Sequence, residues 1–280
     1  MRELRGMPVV NALIEKYSGI VEEKKKEGII PQLAIVRVGN REDDLAYERG
    51  ILKRFDQAGA KACVHELPAD ADQRALEDKL TELDSDPLVH GILLFRPLPK
   101  HLNEDSAKRC VSPRKDVDCM RSENQTHVYE QDGKGHMPCT PEAVMEMLKF
   151  YEVDLTGKKV VIVGRSLVVG KPLAMMMLKA NATVTICHTK TANLSEECKR
   201  ADIICAAAGK AKMLGAEHFG KDQIIVDVGI NMLDGKLCGD VDYEAAAAAA
   251  EAVTPVPGGV GSVTTTMLLK HVLKAAGAEL

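Results

Sequence analysis

Short apolar runs alternate along the whole chain with amphipathic stretches of 10 to 20 residues, and that alternation admits few folds. A strand-sized run, a helix that crosses back and a further strand make a βαβ unit, so the expected class is α/β with parallel sheet. Leu33 to Val38 predicts a strand that enters a loop at Gly39. Leu45 to Ala58 predicts a helix closed by Gly59 in the C′ position. Val64 to Leu67, Gln73 to Leu83 and Gly91 to Phe95 continue as strand, helix and strand, and Pro97-Leu98-Pro99 stops the last because proline lacks a ladder donor. From Val111 to Pro138 the periodicity is lost and polar residues dominate, which predicts a long surface segment. Thr140-Pro141-Glu142 has the form of an N-cap with proline at N1 and opens a helix to about Tyr151. A second series follows: strand Lys159 to Val163, a glycine-bearing loop, helix Pro172 to Lys179, then strands at Thr183 to Cys187, Ile203 to Ala206 and Ile224 to Val228. This half has the order of a Rossmann-type doubly wound unit. Ala245 to Ala250 is low in complexity, and alanine's helix propensity makes it a plain helix. The amphipathic tail Thr264 to Ala276 is expected to pack back on the first lobe.

The 280 residues are about twice the commonest domain length of roughly 100–150, enough for two modest lobes. A formal charge of −4 with both signs interspersed offers no basic face, so neither nucleic acid nor membrane is an expected partner. The longest apolar stretches are strand-sized, well short of the ~20 residues a membrane crossing needs, and Met1-Arg2-Glu3-Leu4-Arg5 carries no signal-peptide apolar region. A cytoplasmic protein is expected. The eight cysteines form no C-x-x-C pair and no zinc-like cluster, so reduced, mostly buried thiols and no metal site are expected.

The chemistry-bearing stretch runs from Val160 to Pro172: a buried strand, a turn at Gly164, and a helix beginning near Gly170. Such a helix start presents N–H groups to an anion. On spacing alone, two glycines separated by five residues fit a dinucleotide loop and an ordinary structural turn equally well. The next strand ends in His188-Thr189-Lys190-Thr191, where an NAD site would carry an acidic residue for the ribose hydroxyl. Lys190 there and Arg165 in the facing loop suit a 2′-phosphate, so NADP is favoured over NAD.

Six stretches share one further property. Gly164-Arg165-Ser166-x-x-Val169-Gly170-x-Pro172, His90-Gly91-Ile92-Leu93 with Pro97-Leu98-Pro99, Ser112-Pro113-x-Lys115-Asp116-Val117-Asp118, Pro138-Cys139-Thr140-Pro141, Asp227 to Asn231 and Thr254 to Gly261 occur in order between about residues 33 and 268. Together the chain resembles the methylenetetrahydrofolate dehydrogenase/cyclohydrolase family. The resemblance implies two lobes flanking a cleft: a folate-binding lobe over 1–140 joined by a C-terminal helix over 262–280, and an NADP-binding lobe over 141–261. It also implies tetrahydrofolate derivatives as substrate, and a homodimer. By the same resemblance Tyr47 packs on the folate, and Asp118 accepts hydrogen bonds from the amide and amino edge of the pterin. Gly164, Arg165, Ser166, Thr189 and Ile230 match the family's cofactor contacts, although the family often has serine at 189, and Gly170 and Lys190 join them from the reading of the loop and strand end above. Pro257, Gly258 and Gly259 form the loop near the nicotinamide and substrate. Without the resemblance, Tyr47 is an ordinary core aromatic and Asp118 a turn aspartate.

The chain also departs from that family. Its first motif reads Tyr-x-x-x-Lys, with the lysine tied to the cyclohydrolase step; here the position is Ile51. Gly39, eight residues before Tyr47, and Gly59, twelve after, both match without a gap, so the alignment is secure. Lys53 is no simple substitute, because two helical residues turn a side chain by about 200°. Arg54 is nearer the right face but stays protonated. Phe95 stands where the family has glutamine; Ser262 replaces a proline and Thr126 a glycine. Hydride transfer from the one-carbon bridge needs no proton removed, only positioning, whereas hydrolysis of the methenyl cation calls for a titratable group in reach. The expectation is an NADP-dependent methylenetetrahydrofolate dehydrogenase, an oxidoreductase of one-carbon metabolism, with cyclohydrolase lost and supplied by a separate enzyme. A bifunctional enzyme and a non-catalytic folate- and NADP-binding protein are the alternatives.

Overall fold

The computed structural model describes residues 1–280. Contacts divide the chain into two compact units: Ala12–His127 with Asp132–Cys139 and Thr265–Leu280, and Met1–Asn11 with Val128–Gln131 and Thr140–Thr264. β1 (Arg2–Glu3), α1 (Gly6–Lys26), β2 (Gln32–Val38), α2 (Glu42–Ala58), β3 (Lys61–Leu67), α3 (Gln73–Ser85), β4 (Gly91–Leu94), α4 (Glu104–Arg109), α5 (Ser122–Glu130) and α6 (Cys139–Phe150) come first. Then follow β5 (Lys159–Val163), α7 (Gly170–Lys179), β6 (Thr183–Cys187), α8 (Leu194–Lys199), β7 (Ile203–Ala206), β8 (Ile224–Asp227), β9 (Asn231–Leu233), β10 (Lys236–Cys238), α9 (Tyr243–Ala249), β11 (Ala252–Val253) and α10 (Val260–Ala275).

The first unit is built on a three-stranded parallel sheet in the order β3-β2-β4. Central β2 is buried from Leu33 to Val38, as a strand flanked on both sides and covered on both faces must be. α2 begins with Glu42, Asp43 and Asp44, which favour the positive end of the helix dipole. It ends at Gly59, whose φ of 73° lets its N–H reach Asp56 O and the Ala60 N–H reach Phe55 O, a Schellman cap at the expected residue.

The second unit is a six-stranded, wholly parallel sheet in the order β1-β11-β8-β7-β5-β6, the doubly wound arrangement. Residues 1–11, expected in the first lobe, fall in this unit because β1 pairs with β11 at its edge, Arg2 opposite Ala252. A two-residue strand has too little pattern to be read from sequence. The β9-β10 hairpin carries no periodicity signal either.

Two segments differ from expectation. Val111 to Pro138 is not a surface segment: it contains α5, and Asp116, Val117, Met120, Asn124 and His136 are buried. The cause is inward-facing polarity. The Asp116 carboxylate accepts from Met120 N at 2.9 Å, Arg121 N at 2.8 Å and Asn124 Nδ2 at 2.8 Å, so polar residues hold the loop closed from inside. α10 starts at Val260 rather than Thr264 and is buried nearly all round rather than amphipathic: Val263, Met267, Leu268, Leu269, Val272 and Leu273 are wholly enclosed. Its later turns pack into the first unit, as expected. His271 Nδ1 lies 2.7 Å from Val117 O, and Val272 lies against Gly91, where a Cβ would come within 2.9 Å of it. None of the eight cysteines forms a disulfide, and five of them are buried. No helix is long and apolar enough to cross a membrane.

Candidate active site

In the first unit α2 and the ends of β4 and the Asp116 loop bring Tyr47, Phe95 and Asp118 together. The Tyr47 and Phe95 rings lie 5.6 Å apart at 36°, a spacing at which aromatic pairs attract beyond their buried area. Burial pushes the Tyr47 hydroxyl well above its ordinary pKa, and nearby Cys139 and Asp118 add to the shift. It is therefore a neutral aromatic surface rather than a base. Ile51, one turn along α2 on the same face, has no exposed surface, and Phe95 is 6% exposed. Lys53 is exposed, whereas Arg54 is buried and donates to Gln57 Oε1 at 2.7 Å.

Asp118 is enclosed by neighbouring atoms although 21% of its side chain still faces outward. Burial raises its pKa, Arg96 opposes that rise as a neighbouring cation, and Asp116 adds to it; hydrogen bonds from Arg96 and Cys139 oppose it further. The Arg96 contact, Nη2 to Oδ2 at 3.0 Å, has no counterpart among the residues singled out from sequence. An arginine directly after an apolar strand reads as a strand-end charge, and only the fold turns it toward a carboxylate 22 residues away. Asp116, the loop's organiser, lay in a quoted motif but without a role; its signal was two aspartates spaced by one residue, one facing in and one out.

The second unit holds the glycine loop. Gly164 has φ of 140°, and a Cβ there would lie 2.1 Å from Ala207 O; a Cβ at Gly170 would lie 2.1 Å from Gly164 O. Both glycines are demanded by close backbone packing between β5, α7 and the chain after β7. The start of α7 corrects one expectation. Its first N–H groups do not stand free: Ser166 Oγ accepts from Val169 N at 3.0 Å and Gly170 N at 3.5 Å, Ser166 O accepts from Lys171 N at 3.0 Å, and Pro172 has none. The polar groups left open at this loop are therefore side chains rather than helix-end N–H groups. Arg165, Thr189 and Lys190 are exposed, and β6 ends without a carboxylate, at Cys187 and His188. The turn carrying them is pinned by Thr191 Oγ1 accepting from His188 N at 2.8 Å and His188 Nδ1 accepting from Lys190 N at 3.1 Å.

Ile230, Pro257, Gly258 and Gly259 line one cavity of about 200 Å³ together with Asp227, Val228, Gly229 and Leu237. Ile230 keeps 65% of its surface exposed. Two buried carboxylates hold the surrounding loops. Asp227 accepts from Gly229 N, Asp240 N and Val241 N, each at 3.0 Å, and burial raises its pKa to about 6. Asp240 accepts from Ala208 N, Gly209 N and Lys210 N at 2.6, 2.9 and 2.8 Å and from Asn231 Nδ2 at 2.9 Å. The first sits in a motif noted from sequence; the second was missed, since a lone buried aspartate has no spacing signature.

A doubly wound unit with a glycine loop and flanking cations, together in one chain with a parallel-sheet unit that carries an aromatic and carboxylate cluster, defines a nucleotide-binding α/β enzyme architecture of two units. Residues 4–118 match the catalytic domain of tetrahydrofolate dehydrogenase/cyclohydrolase, and residues 138–280 match its NAD(P)-binding domain. The chain belongs to the tetrahydrofolate dehydrogenase/cyclohydrolase family. It is 49% identical to a Clostridium botulinum protein named Bifunctional protein FolD, over 98% of this chain and 97% of that relative. It is similar to the crystal structure of the bifunctional FolD enzyme of Campylobacter jejuni, with a TM-score of 0.96 and 38% identity over 99% of both chains. The Trypanosoma brucei dehydrogenase-cyclohydrolase solved with NADP and an inhibitor aligns with a TM-score of 0.92 and 32% identity over 98% of this chain and 96% of that one.

Proposed function

We propose that this protein is an NADP-dependent 5,10-methylenetetrahydrofolate dehydrogenase that has lost cyclohydrolase activity. The observation that carries the loss is the apolar sealing of two positions: Ile51 is fully enclosed, and Phe95 is 6% exposed and packed on Tyr47. The resemblance implies lysine and glutamine there. Neither isoleucine nor phenylalanine can move a proton, and water addition to the methenyl carbon needs proton transfer worth typically 10²–10⁴ in rate.

In this assignment Tyr47 packs its ring on the folate, and Asp118 accepts from the amino and amide N–H groups of the pterin, which a two-oxygen carboxylate does well. Gly164, Arg165, Ser166, Gly170, Thr189, Lys190 and Ile230 hold NADP, and Pro257, Gly258 and Gly259 border the nicotinamide. The donor set fits that cofactor: exposed Arg165 and Lys190 suit a 2′-phosphate, and no carboxylate stands at the end of β6 to repel it. NADP supplies a hydride acceptor. Ser166 shapes the loop by capping α7, and Asp240 fixes the backbone after β7. The product cation is stabilised by its own two flanking nitrogens, so the chain's contribution is orientation, which can supply several kcal/mol. A lysine at position 51 would, whenever protonated, oppose the forming cation, so its absence favours the forward step. A cytoplasmic homodimer acting beside a separate cyclohydrolase completes the proposal.

The relatives' own names favour a second reading, in which hydrolysis is retained through another group. One assay separates the two. Purified protein given methylenetetrahydrofolate and NADP should accumulate methenyl absorbance; enzyme-dependent loss of added methenyltetrahydrofolate above the buffer rate would sink the monofunctional reading. Turnover with NADP against NAD tests the cofactor choice.

A further inference from the structure

Arg96 follows Phe95 directly and sets Nη2 3.0 Å from Asp118 Oδ2. Behind it stands Glu104 of α4, 3.6 Å from Nη1 and itself paired with Lys108 at 2.8 Å. This backing directs the guanidinium toward Asp118 and leaves 19% of the arginine side chain exposed. The Arg96 Nε is buried and has no hydrogen-bond acceptor. A buried donor left unpaired costs stability, and this one belongs to the guanidinium that faces Asp118.

We propose that Arg96 and Asp118 together read the complete polar edge of the pterin, Asp118 taking its two donors and Arg96 donating to the neighbouring 4-oxo oxygen. This rests on the assignment of Asp118 to the pterin. The edge presents an amino donor, a ring N–H donor and a carbonyl acceptor in a row. A carboxylate satisfies the first two and repels the third. The guanidinium, a rigid fork of five donors locked to that carboxylate, supplies the missing complement and a charge-assisted bond. Arg96 has a second effect on the same edge. The groups facing Asp118 are Tyr47 of α2, Arg96 after β4, Asp116 of its own loop and Cys139 of α6. Of these, only Arg96 is a cation, and it opposes the rise that burial imposes on the Asp118 carboxyl, favouring the ionised form that accepts both N–H bonds.

The test compares two ligands across three proteins: tetrahydrofolate, with its 4-oxo group, and a 2,4-diaminopteridine folate analogue, which places a donor at that position. Charged hydrogen bonds of this kind correspond to about tenfold or more in affinity. Arg96→Met should weaken tetrahydrofolate by about tenfold or more and the diamino analogue by less than about threefold. It should raise KM for methylenetetrahydrofolate more than it lowers kcat. Arg96→Lys should recover part of the discrimination. Because the readout is a ratio within each protein, a partly unfolded variant does not mimic it. Equal weakening of both ligands, or no change in either, overturns the proposal. If the unaltered protein binds neither ligand, the assignment of the site to folate fails instead.

Discussion

Replacing Ile51 by lysine together with Phe95 by glutamine should create cyclohydrolase activity at a measurable cost in stability. Ile51 has no exposed surface and Phe95 has 6%. Each buried apolar side chain of this size contributes about 1.5–3 kcal/mol, so the pair puts roughly 3–6 kcal/mol at stake out of a typical 5–15. At roughly 2–4 °C per kcal/mol the melting temperature falls on the order of 10 °C, and a fold whose stability exceeds about 6 kcal/mol stays intact for assay. The new ammonium would sit one turn from Tyr47 in a dry pocket, where burial lowers a lysine pKa and favours the neutral amine that can take a proton. Such a base is worth typically 10²–10⁴ in rate. The measurement is the decay of added methenyltetrahydrofolate over the buffer rate, below the variant's melting temperature, with dehydrogenase turnover as the check on folding. Two results refute the reasoning. One is an unaltered protein that hydrolyses as fast as the double variant. The other is a folded, dehydrogenase-active double variant that still hydrolyses nothing, which would place the loss elsewhere in the chain.

Asp118→Asn should raise KM for the folate and remove the acid limb of the kcat/KM profile. The limb arises because burial raises the Asp118 pKa, so the accepting carboxylate is lost as pH falls through that raised value and is present above it; an unchanged limb in the variant refutes this. Lys190→Ala should cut the NADP over NAD preference by about tenfold, as expected for one charge-assisted phosphate contact, and equal effects on both cofactors would exclude a 2′-phosphate contact. Asp240→Ala strips four N–H groups of their acceptor; the cost should be about 3 kcal/mol or more by denaturant unfolding, with weaker NADP binding. A change below about 1 kcal/mol would show that the loops find other partners.

How far the sequence could be read depended on the range of the forces involved. Elements with their own periodicity and stop signals, such as β2 with Gly39, α2 with Gly59 and β5 with Gly164, were legible because the pattern and the cap lie within a few residues of each other. The 111–138 segment was misread because a buried Asp116 satisfied by backbone N–H groups is indistinguishable, as composition, from a solvated loop. The first N–H groups of α7 were expected to be open, since nothing local says that Ser166 will turn its own hydroxyl onto them.

The sequence by itself determined the α/β class, the glycine loop, the absence of an acidic residue after β6 and the apolar residue types at 51 and 95. Those are properties of residue type and spacing along the chain. The tertiary structure alone decided that Ile51 is dry, that Phe95 lies on Tyr47, that Arg96 faces Asp118 and that Asp240 gathers a loop some thirty residues upstream. Each of these joins segments distant in sequence. The physical reason is that burial and charge pairing depend on which segments the sheets bring side by side, and that outcome is settled by the packing of the whole unit rather than by any short stretch of it.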